Sequence, residues 1–387
     1  MTLRLHLDLR LIARTVRDAR QRAIGASRLR EAGDVGEVGS GIPLVSIVIP
    51  VFNGERYLRE SLDSILGQTY PRIEVLVIDD ASTDGTAAII ASYGDRVRSY
   101  RQSKNRGIYG NSNDGIAWAS GAYIATYHAD DVYEPTIVEQ EVAFLERHPE
   151  AGAVFCQDIF IDPLGRAVGR LELPREVRGG CPLDYPTVLN ALLKHKNRFL
   201  RCPSSMVRAR IYRDVGGYRD EEYRNNADLE MWLRIARKYS IGILEEHLFR
   251  YRYGHGNSAQ RYRHLRTDPE RHFLIMDRYL DDGGRALAAA EALAAHEAHR
   301  AEDTVMRAMN LYILGRREAA RVVLGGVSVS RLLGSQRVQR KRLLMLFLLL
   351  RGLVCVPRIP LMASLFYRRW HARSGRATAE PLTAKTT

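Results

Sequence analysis

Three times between Val45 and Asp131 an apolar run breaks off into a turn carrying acidic or amide side chains, and no other feature narrows the fold as much. Val45–Pro50 leads into Asn53-Gly54-Glu55, Ile73–Ile78 into Asp79-Asp80, and Ala122–Tyr127 into His128-Ala129-Asp130-Asp131. Such runs predict buried strands. Helical stretches lie between them. Leu58, Leu62, Ile65 and Leu66 fall at i, i+4, i+7 and i+8, one face of a helix, and Pro71 ends it. Thr83-Asp84-Gly85-Thr86 opens a second helix ending near Tyr93-Gly94. Val97–Tyr100 reads as a short strand and Tyr109–Ala119 as a third helix. Strands and helices alternating through short connections predict a mostly parallel α/β sheet. Ligands of such sheets bind outside the carboxyl ends of the strands, where all of these polar turns fall.

Further on, residues 136–147 predict a helix and Ala153–Ile161 a strand. Residues 162–202 read as irregular, with prolines at 163, 174, 182 and 186. Ala227–Tyr239 predicts a helix, Ile241–Leu244 a strand, and residues 265–325 a helical region rich in Ala and Leu.

The chain carries 58 basic and 45 acidic residues, a formal charge of +13 concentrated in its flanks. Such basicity suits an anionic membrane surface, a polyanionic substrate or nucleic acid. Nucleic acid ranks low, because no aromatic-basic reading module accompanies the charge. The four cysteines, Cys156, Cys181, Cys202 and Cys355, form no Cys-x-x-Cys pair and read as free thiols suited to a reducing compartment. Arg4, Asp8 and Arg10 break the first apolar stretch, so no signal peptide is expected. Nor does any segment offer the roughly twenty apolar residues that span a bilayer. Leu343–Pro357, interrupted by Arg351 and flanked by basic clusters, reads as an interfacial membrane segment or as a core helix of a C-terminal helical region.

The Asp79-Asp80 carboxylates can accept hydrogen bonds from a ribose or base, or serve as turn and capping groups. A dinucleotide-binding fold would need Gly-x-Gly-x-x-Gly after the first strand; Pro50-Val51-Phe52-Asn53-Gly54-Glu55-Arg56 has one glycine. The adjacent carboxylates of Asp130 and Asp131 repel unless a cation or proton lies between them. Mg²⁺ or Mn²⁺ bridging to a diphosphate resolves that conflict; a solvated helix N-cap is the plainer reading.

Ser46-Ile47-Val48-Ile49-Pro50-Val51-Phe52-Asn53 resembles the opening strand of family-2 glycosyltransferases. Ser64-Ile65-Leu66-Gly67-Gln68-Thr69-Tyr70, Val77-Ile78-Asp79-Asp80-Ala81-Ser82-Thr83-Asp84-Gly85-Thr86, Asn105-Arg106-Gly107 and Ala129-Asp130-Asp131 continue the series in order. The likeness runs from about Val45 to Ser258. It implies a GT-A fold: a Rossmann-like, mostly parallel α/β sheet flanked by helices, here followed by a helical C-terminal region. It also implies a nucleotide-sugar donor and Mn²⁺ or Mg²⁺. By the same resemblance Asp80 would contact the base or ribose, and Asn53 and Glu55 would frame the nucleotide pocket. Asp130 and Asp131 would hold the donor and metal, with Asp131 the direct ligand. His128 departs from the family, where Asp is common, which leaves the metal geometry and preference open.

An inverting transfer needs a base to deprotonate the acceptor hydroxyl. Asn226-Ala227-Asp228-Leu229-Glu230-Met231-Trp232 matches the family segment that supplies it, so Asp228 is the candidate base and Glu230 the reserve. Taken alone, Asp228 reads as an acid favoured by a helix N-terminus. Pro203-Ser204-Ser205-Met206 and Gly216-Gly217-Tyr218 resemble the loop lining the sugar and acceptor pocket. Tyr251–Ser258 resembles a late active-site lid, in which Arg252 or His255 would bind the diphosphate.

The expected protein is thus an inverting glycosyltransferase acting on a glycan or lipid-linked acceptor in cell-surface polysaccharide or lipopolysaccharide synthesis. The alternative is a non-catalytic nucleotide-sugar or glycan binder retaining the fold. The expected location is cytoplasmic, peripheral on the inner membrane. Four segments are expected: a basic arm over 1–40, a catalytic domain over 41–264, a helical region over 265–335, and a basic and apolar tail over 336–387.

Overall fold

The computed structural model describes residues 41–254, 265–329, 332, 337–357 and 359–374; the arm over 1–40 and His255 lie outside the described residues. The chain divides into two compact units, Met1–Phe155 with Cys202–Asp220, and Cys156–Arg201 with Glu221–Thr387.

The first unit begins with β1 (Val45–Val51), α1 (Leu58–Leu66), β2 (Ile73–Asp79), α2 (Thr86–Ser92), β3 (Arg98–Arg101), α3 (Gly107–Trp118) and β4 (Tyr123–Thr126). It continues with β5 (Val132–Tyr133), α4 (Ile137–Arg147), the start of β6 (Ala151–Ile161) and β7 (Ser205–Arg208). Its sheet order is β3-β2-β1-β4-β7-β6. The first four strands are parallel: Val45 pairs with Ile73 on one side and with Tyr123 on the other, and Leu76 with Arg98. β7 runs antiparallel to both β4 and β6. Every residue of β1 is buried, as expected of a parallel strand covered on both faces. Helix α3 lies close against it at Gly115, where a Cβ would come within 2.3 Å of the Val48 side chain. With β2 on one side of β1 and β4 on the other, the carboxyl end of β1 is the kind of position where ligands of such sheets bind.

In the second unit the outer part of β6 pairs antiparallel with the short strand Ala167–Arg170. Then come α5 (Tyr185–His195), α6 (Ala227–Ala236), β8 (Ser240–Arg252), α7 (Arg271–Asp281), α8 (Ala290–Ile313), α9 (Arg317–Gly325), α10 (Arg337–Leu353) and α11 (Pro360–Ser374). One apolar cluster joins Val305, Tyr312 and Leu324 with Phe347, Leu350 and Ala363. The core-helix reading of Leu343–Pro357 therefore holds for one face of that segment.

Two expectations change. Residues 162–202 are not irregular throughout: α5 occupies Tyr185–His195. Pro186 sits in the first turn, where its missing N–H breaks no intrahelical bond. Asp184 caps the helix by accepting the Thr187 N–H at 3.0 Å. The strand expected over Ile241–Leu244 extends to Arg252. Glu245 and Glu246 are exposed on it, so its polar middle faces water without ending the strand. Tyr251 and Arg252 accordingly lie on a strand and not in a lid.

Candidate active site

β1, β2 and β4 are neighbours and run the same way, so the turns after them meet at one edge of the sheet. Val51 stands beside Asp79 in register. Asn53 and Ala81, the residues that turn the chain, take left-handed backbone with φ of 50° and 62°. Asn is enriched in that conformation and Ala is not. The two turns are laced together by side chains. Backbone N–H groups of Asn53, Gly54 and Glu55 donate to Ser82 Oγ (2.9 Å), Thr86 Oγ1 (2.8 Å) and Asp84 Oδ2 (3.1 Å). In return Asn53 Oδ1 accepts the Thr83 N–H at 2.8 Å and Glu55 Oε2 the Gly85 N–H at 3.0 Å. Glu55 passes so close over Gly85 that a Cβ there would meet its carboxyl carbon at 2.8 Å. Asn53 and Glu55 thus build the turn that shapes this end of the sheet.

Asp80 is 2% exposed. Its Oδ1 accepts the Arg106 N–H at 2.7 Å and its Oδ2 the Gly107 N–H at 2.9 Å, at the start of α3. Burial lifts its carboxyl above the usual range, opposed by those two N–H groups. Beside it, Arg101 pairs with Asp79 at 3.3 Å. Asp80 therefore ties the 102–107 segment to the end of β2. The sequence motif marks both partners, Asp80 and Asn105-Arg106-Gly107, without revealing that one holds the other.

After β4 the chain turns through His128–Asp131. Among the described residues, His128, Asp130 and Asp131 form the group able to hold a metal ion, each offering a ligand atom within 4.8 Å of the others. Asp131 is 1% exposed. His128 Nε2 is buried and has no hydrogen-bond partner. Burial pushes the His128 imidazole below its ordinary range, partly offset by Asp130, which favours the neutral ring with its nitrogen lone pair. A neutral imidazole with an unsatisfied buried nitrogen beside two carboxylates fits a divalent cation. The set offers two carboxylate oxygens and one imidazole nitrogen.

Residues the sequence reading did not single out hold this turn in place. The His128 N–H donates to Tyr133 Oη at 2.6 Å, and Ser61 Oγ donates to the His128 carbonyl at 3.0 Å. The Tyr133 N–H donates to Ser64 Oγ at 3.1 Å. The Tyr133 ring stacks on Tyr127 at 4.1 Å, and the Tyr127 hydroxyl donates to Glu141 at 3.0 Å. Glu141 is fully buried, and burial drives its carboxyl well above the usual range, which favours the protonated acid. The tyrosines at 127 and 133, flanking the acidic turn, are the one sequence signal for this support.

In the same unit, the Asn113 side chain holds the chain beside Gly217. Asn113 Nδ2 donates to the Tyr218 carbonyl and its Oδ1 accepts the Tyr218 N–H, both at 2.8 Å. Ser204, Ser205 and Met206 are fully buried at the start of β7, so this part of the expected pocket loop is core.

The remaining candidates belong to the second unit. Asp228 is half-buried in the first turn of α6, and Asn197 Nδ2 donates to its Oδ2 at 3.1 Å. The reserve candidate Glu230 is 1% exposed, paired with Arg234 at 2.8 Å and accepting from the Tyr279 hydroxyl at 3.3 Å. That arrangement makes Glu230 a packing ion pair. Arg252 is 2% exposed, with Nη1 donating to the Asp162 carbonyl at 3.4 Å.

A family model described as glycosyl transferase family 2 matches residues 46–216. EpsE of Bacillus subtilis (strain 168), named as a glycosyltransferase, is 32% identical over 220 residues, 54% of this chain and 73% of that protein. An uncharacterized glycosyltransferase of Rickettsia felis is 30% identical over 214 residues, 54% of this chain and 34% of its own length. Among solved structures, TarS of S. aureus in complex with UDP-GlcNAc superposes with a TM-score of 0.55 at 18% identity, covering 80% of this chain and 91% of that one. Likeness at that identity is one of fold, and the fold is the GT-A architecture.

Proposed function

The chain belongs to glycosyl transferase family 2 and is a glycosyltransferase, and on that premise we propose that it transfers a sugar from a nucleoside-diphosphate sugar to an acceptor hydroxyl with inversion. The observation that carries this reading is the His128, Asp130 and Asp131 cluster with its orphaned imidazole nitrogen, set at the carboxyl end of a strand adjacent to β1. A divalent ion bound there, Mn²⁺ in preference to Mg²⁺, would supply Lewis-acid stabilisation of the departing diphosphate. Asp131 and Asp130 would hold it, with His128 as the third ligand. The laced turn of Asn53 and Glu55, with Asp80 fixing the 102–107 segment, would shape the nucleotide pocket. Backbone placed by hydrogen bonds presents fixed donors and acceptors to a base and ribose at no cost of reorganisation.

Asp228 is the proposed base. It is reachable where Glu230 is enclosed, and it would take the acceptor hydroxyl proton as the oxygen attacks the anomeric carbon. Arg252 and His255 are proposed to meet the diphosphate. Residues 41–264 are assigned to catalysis and 265–335 to helical support. The acceptor is proposed to be a glycan or lipid-linked saccharide of cell-surface polysaccharide or lipopolysaccharide, handled at the cytoplasmic face of the inner membrane.

Release of free nucleoside diphosphate tests this. UDP-GlcNAc, the ligand in the TarS structure, is the first donor to try, followed by other nucleotide sugars, each with and without Mn²⁺. Asp131→Asn and Asp228→Asn should each lower release by about a hundredfold or more while melting remains unchanged. Full release by both variants sinks the assignment. Donor-dependent thermal stabilisation with no release from wild type would make the protein a binder.

A further inference from the structure

Residues 331–374 hold ten Lys or Arg and not one Asp or Glu, in a chain with 45 acidic residues in all. Within that stretch α10 turns Leu343, Phe347 and Leu350 into the core. Its opposite stripe reads Lys341, Arg342, Met345, Leu348, Leu349 and Gly352, spaced one helical turn apart and all exposed. Met345 is 69% exposed and Leu348 58%. Val356 and Ile359, between the two helices, are exposed as well, and on α11 Leu361 is 68% and Leu365 49% exposed. Lys341 and Arg342 precede this surface and Arg368 follows it, all exposed, with Arg351 between.

Scattered exposed leucines need no explanation, but a contiguous series does. Among the described residues no helix is long and apolar enough to cross a membrane. An exposed apolar stripe with cationic residues at its margins and no acidic side chain in the segment matches an anionic lipid surface: apolar side chains enter the acyl boundary while Lys and Arg meet the headgroups. We propose that the outward faces of α10 and α11 dock this glycosyltransferase onto an anionic bilayer, lying on it and not through it. The proposal deepens the functional reading by naming the surface that would bring the enzyme to a lipid-linked acceptor, and its test does not depend on that acceptor.

The full chain is sedimented with vesicles of phosphatidylcholine alone or containing one-third phosphatidylglycerol, at low and high salt, with nucleoside diphosphate release assayed in parallel. Wild type should bind the anionic vesicles at least about tenfold better than the neutral ones, and less well at high salt. The triple variant Met345→Glu, Leu348→Glu, Leu361→Glu should lose that binding about tenfold or more. These side chains are exposed, so its melting and donor turnover should match wild type. Lys341→Glu with Arg342→Glu should weaken anionic binding while leaving the small neutral-vesicle binding unaltered. Equal sedimentation of wild type and triple variant would overturn the proposal and point to the 1–40 arm. So would retention on soluble RNA that the triple variant keeps, combined with no vesicle binding. Loss of donor turnover in wild type would instead count against the catalytic reading.

Discussion

The Tyr133 hydroxyl accepts the backbone N–H of His128 at 2.6 Å. This bond helps hold the turn that carries the proposed metal-site side chains. Both rings beneath the turn, Tyr133 and Tyr127, are buried, so the turn rests on a rigid aromatic floor. Tyr133→Phe leaves the floor and removes the acceptor, stranding a backbone donor. It should cost about 1–3 kcal/mol of stability and weaken Mn²⁺ affinity about tenfold, in line with losses on removing a supporting group. Titration calorimetry with Mn²⁺ beside urea unfolding separates the two effects.

The proposed ligand set at this turn makes a prediction about metal choice. Replacing the imidazole by a third carboxylate, His128→Asp, should move the preference toward Mg²⁺, a harder ion. Donor turnover measured across Mg²⁺ and Mn²⁺ should show the Mn²⁺ advantage shrink by roughly tenfold in the variant. An unchanged ratio would remove His128 from the ligand set.

Asp80 accepts two backbone N–H groups, one on each oxygen. Asp80→Asn replaces one acceptor with an amide donor facing an N–H. The start of α3 should loosen, at a cost of about 1–3 kcal/mol, and donor KM should rise more than kcat falls. A kcat loss at constant KM would place Asp80 in the chemical step.

These contacts define what could be read beforehand. The parallel strands were legible because strands covered on both faces are continuous apolar runs, as in Val45–Val51 and Ile73–Asp79. The acidic turns were legible because strand ends are where such sheets bind ligands. The lacing of Asn53–Glu55 to Ser82–Thr86 was not. It depends on left-handed backbone at Asn53 and Ala81, and nothing in Ala81 as a residue announces that conformation. Helix Tyr185–His195 was missed because Pro186 reads as a breaker unless Asp184 is recognised as its cap. β8 was cut short because Glu245 and Glu246 interrupt an apolar pattern, although an exposed strand position tolerates charge.

Glu141 gives a pH prediction. Its carboxyl is raised well above 4.5 by burial, so the fold favours its protonated form while the unfolded chain ionises it at neutral pH. A raised folded pKa means its contribution is complete below about pH 4.5 and declines as pH rises. Glu141→Gln keeps an oxygen for the Tyr127 hydroxyl and cannot ionise. The variant should therefore melt higher than wild type at pH 8 and equally at pH 4. A variant that melts lower at both would show that the carboxyl proton has a partner the amide cannot replace.

His296 has the opposite sign. It is 1% exposed, near Asp277, Glu297 and Arg300, with His272 and Phe273 beside it. Burial, and secondarily Arg300, depresses its pKa from 6.5 to about 4. The neutral ring is favoured in the fold, so stability is lost as pH falls from about 6.5 to 4. The depression corresponds to about 3 kcal/mol at full protonation. Urea unfolding at pH 7 and pH 4.5 should show a smaller acid loss for His296→Gln than for wild type; an equal loss would assign acid sensitivity to other groups.

One amide, that of Asn113, grips both the N–H and the carbonyl of Tyr218 in the way an adjoining strand would. The segment ending at Gly217 is therefore anchored from outside its own sequence. Neither bond comes from residues 213–216, so a substitution there leaves this grip on Tyr218 intact. A change at position 113 would remove both of these bonds to Tyr218 at once.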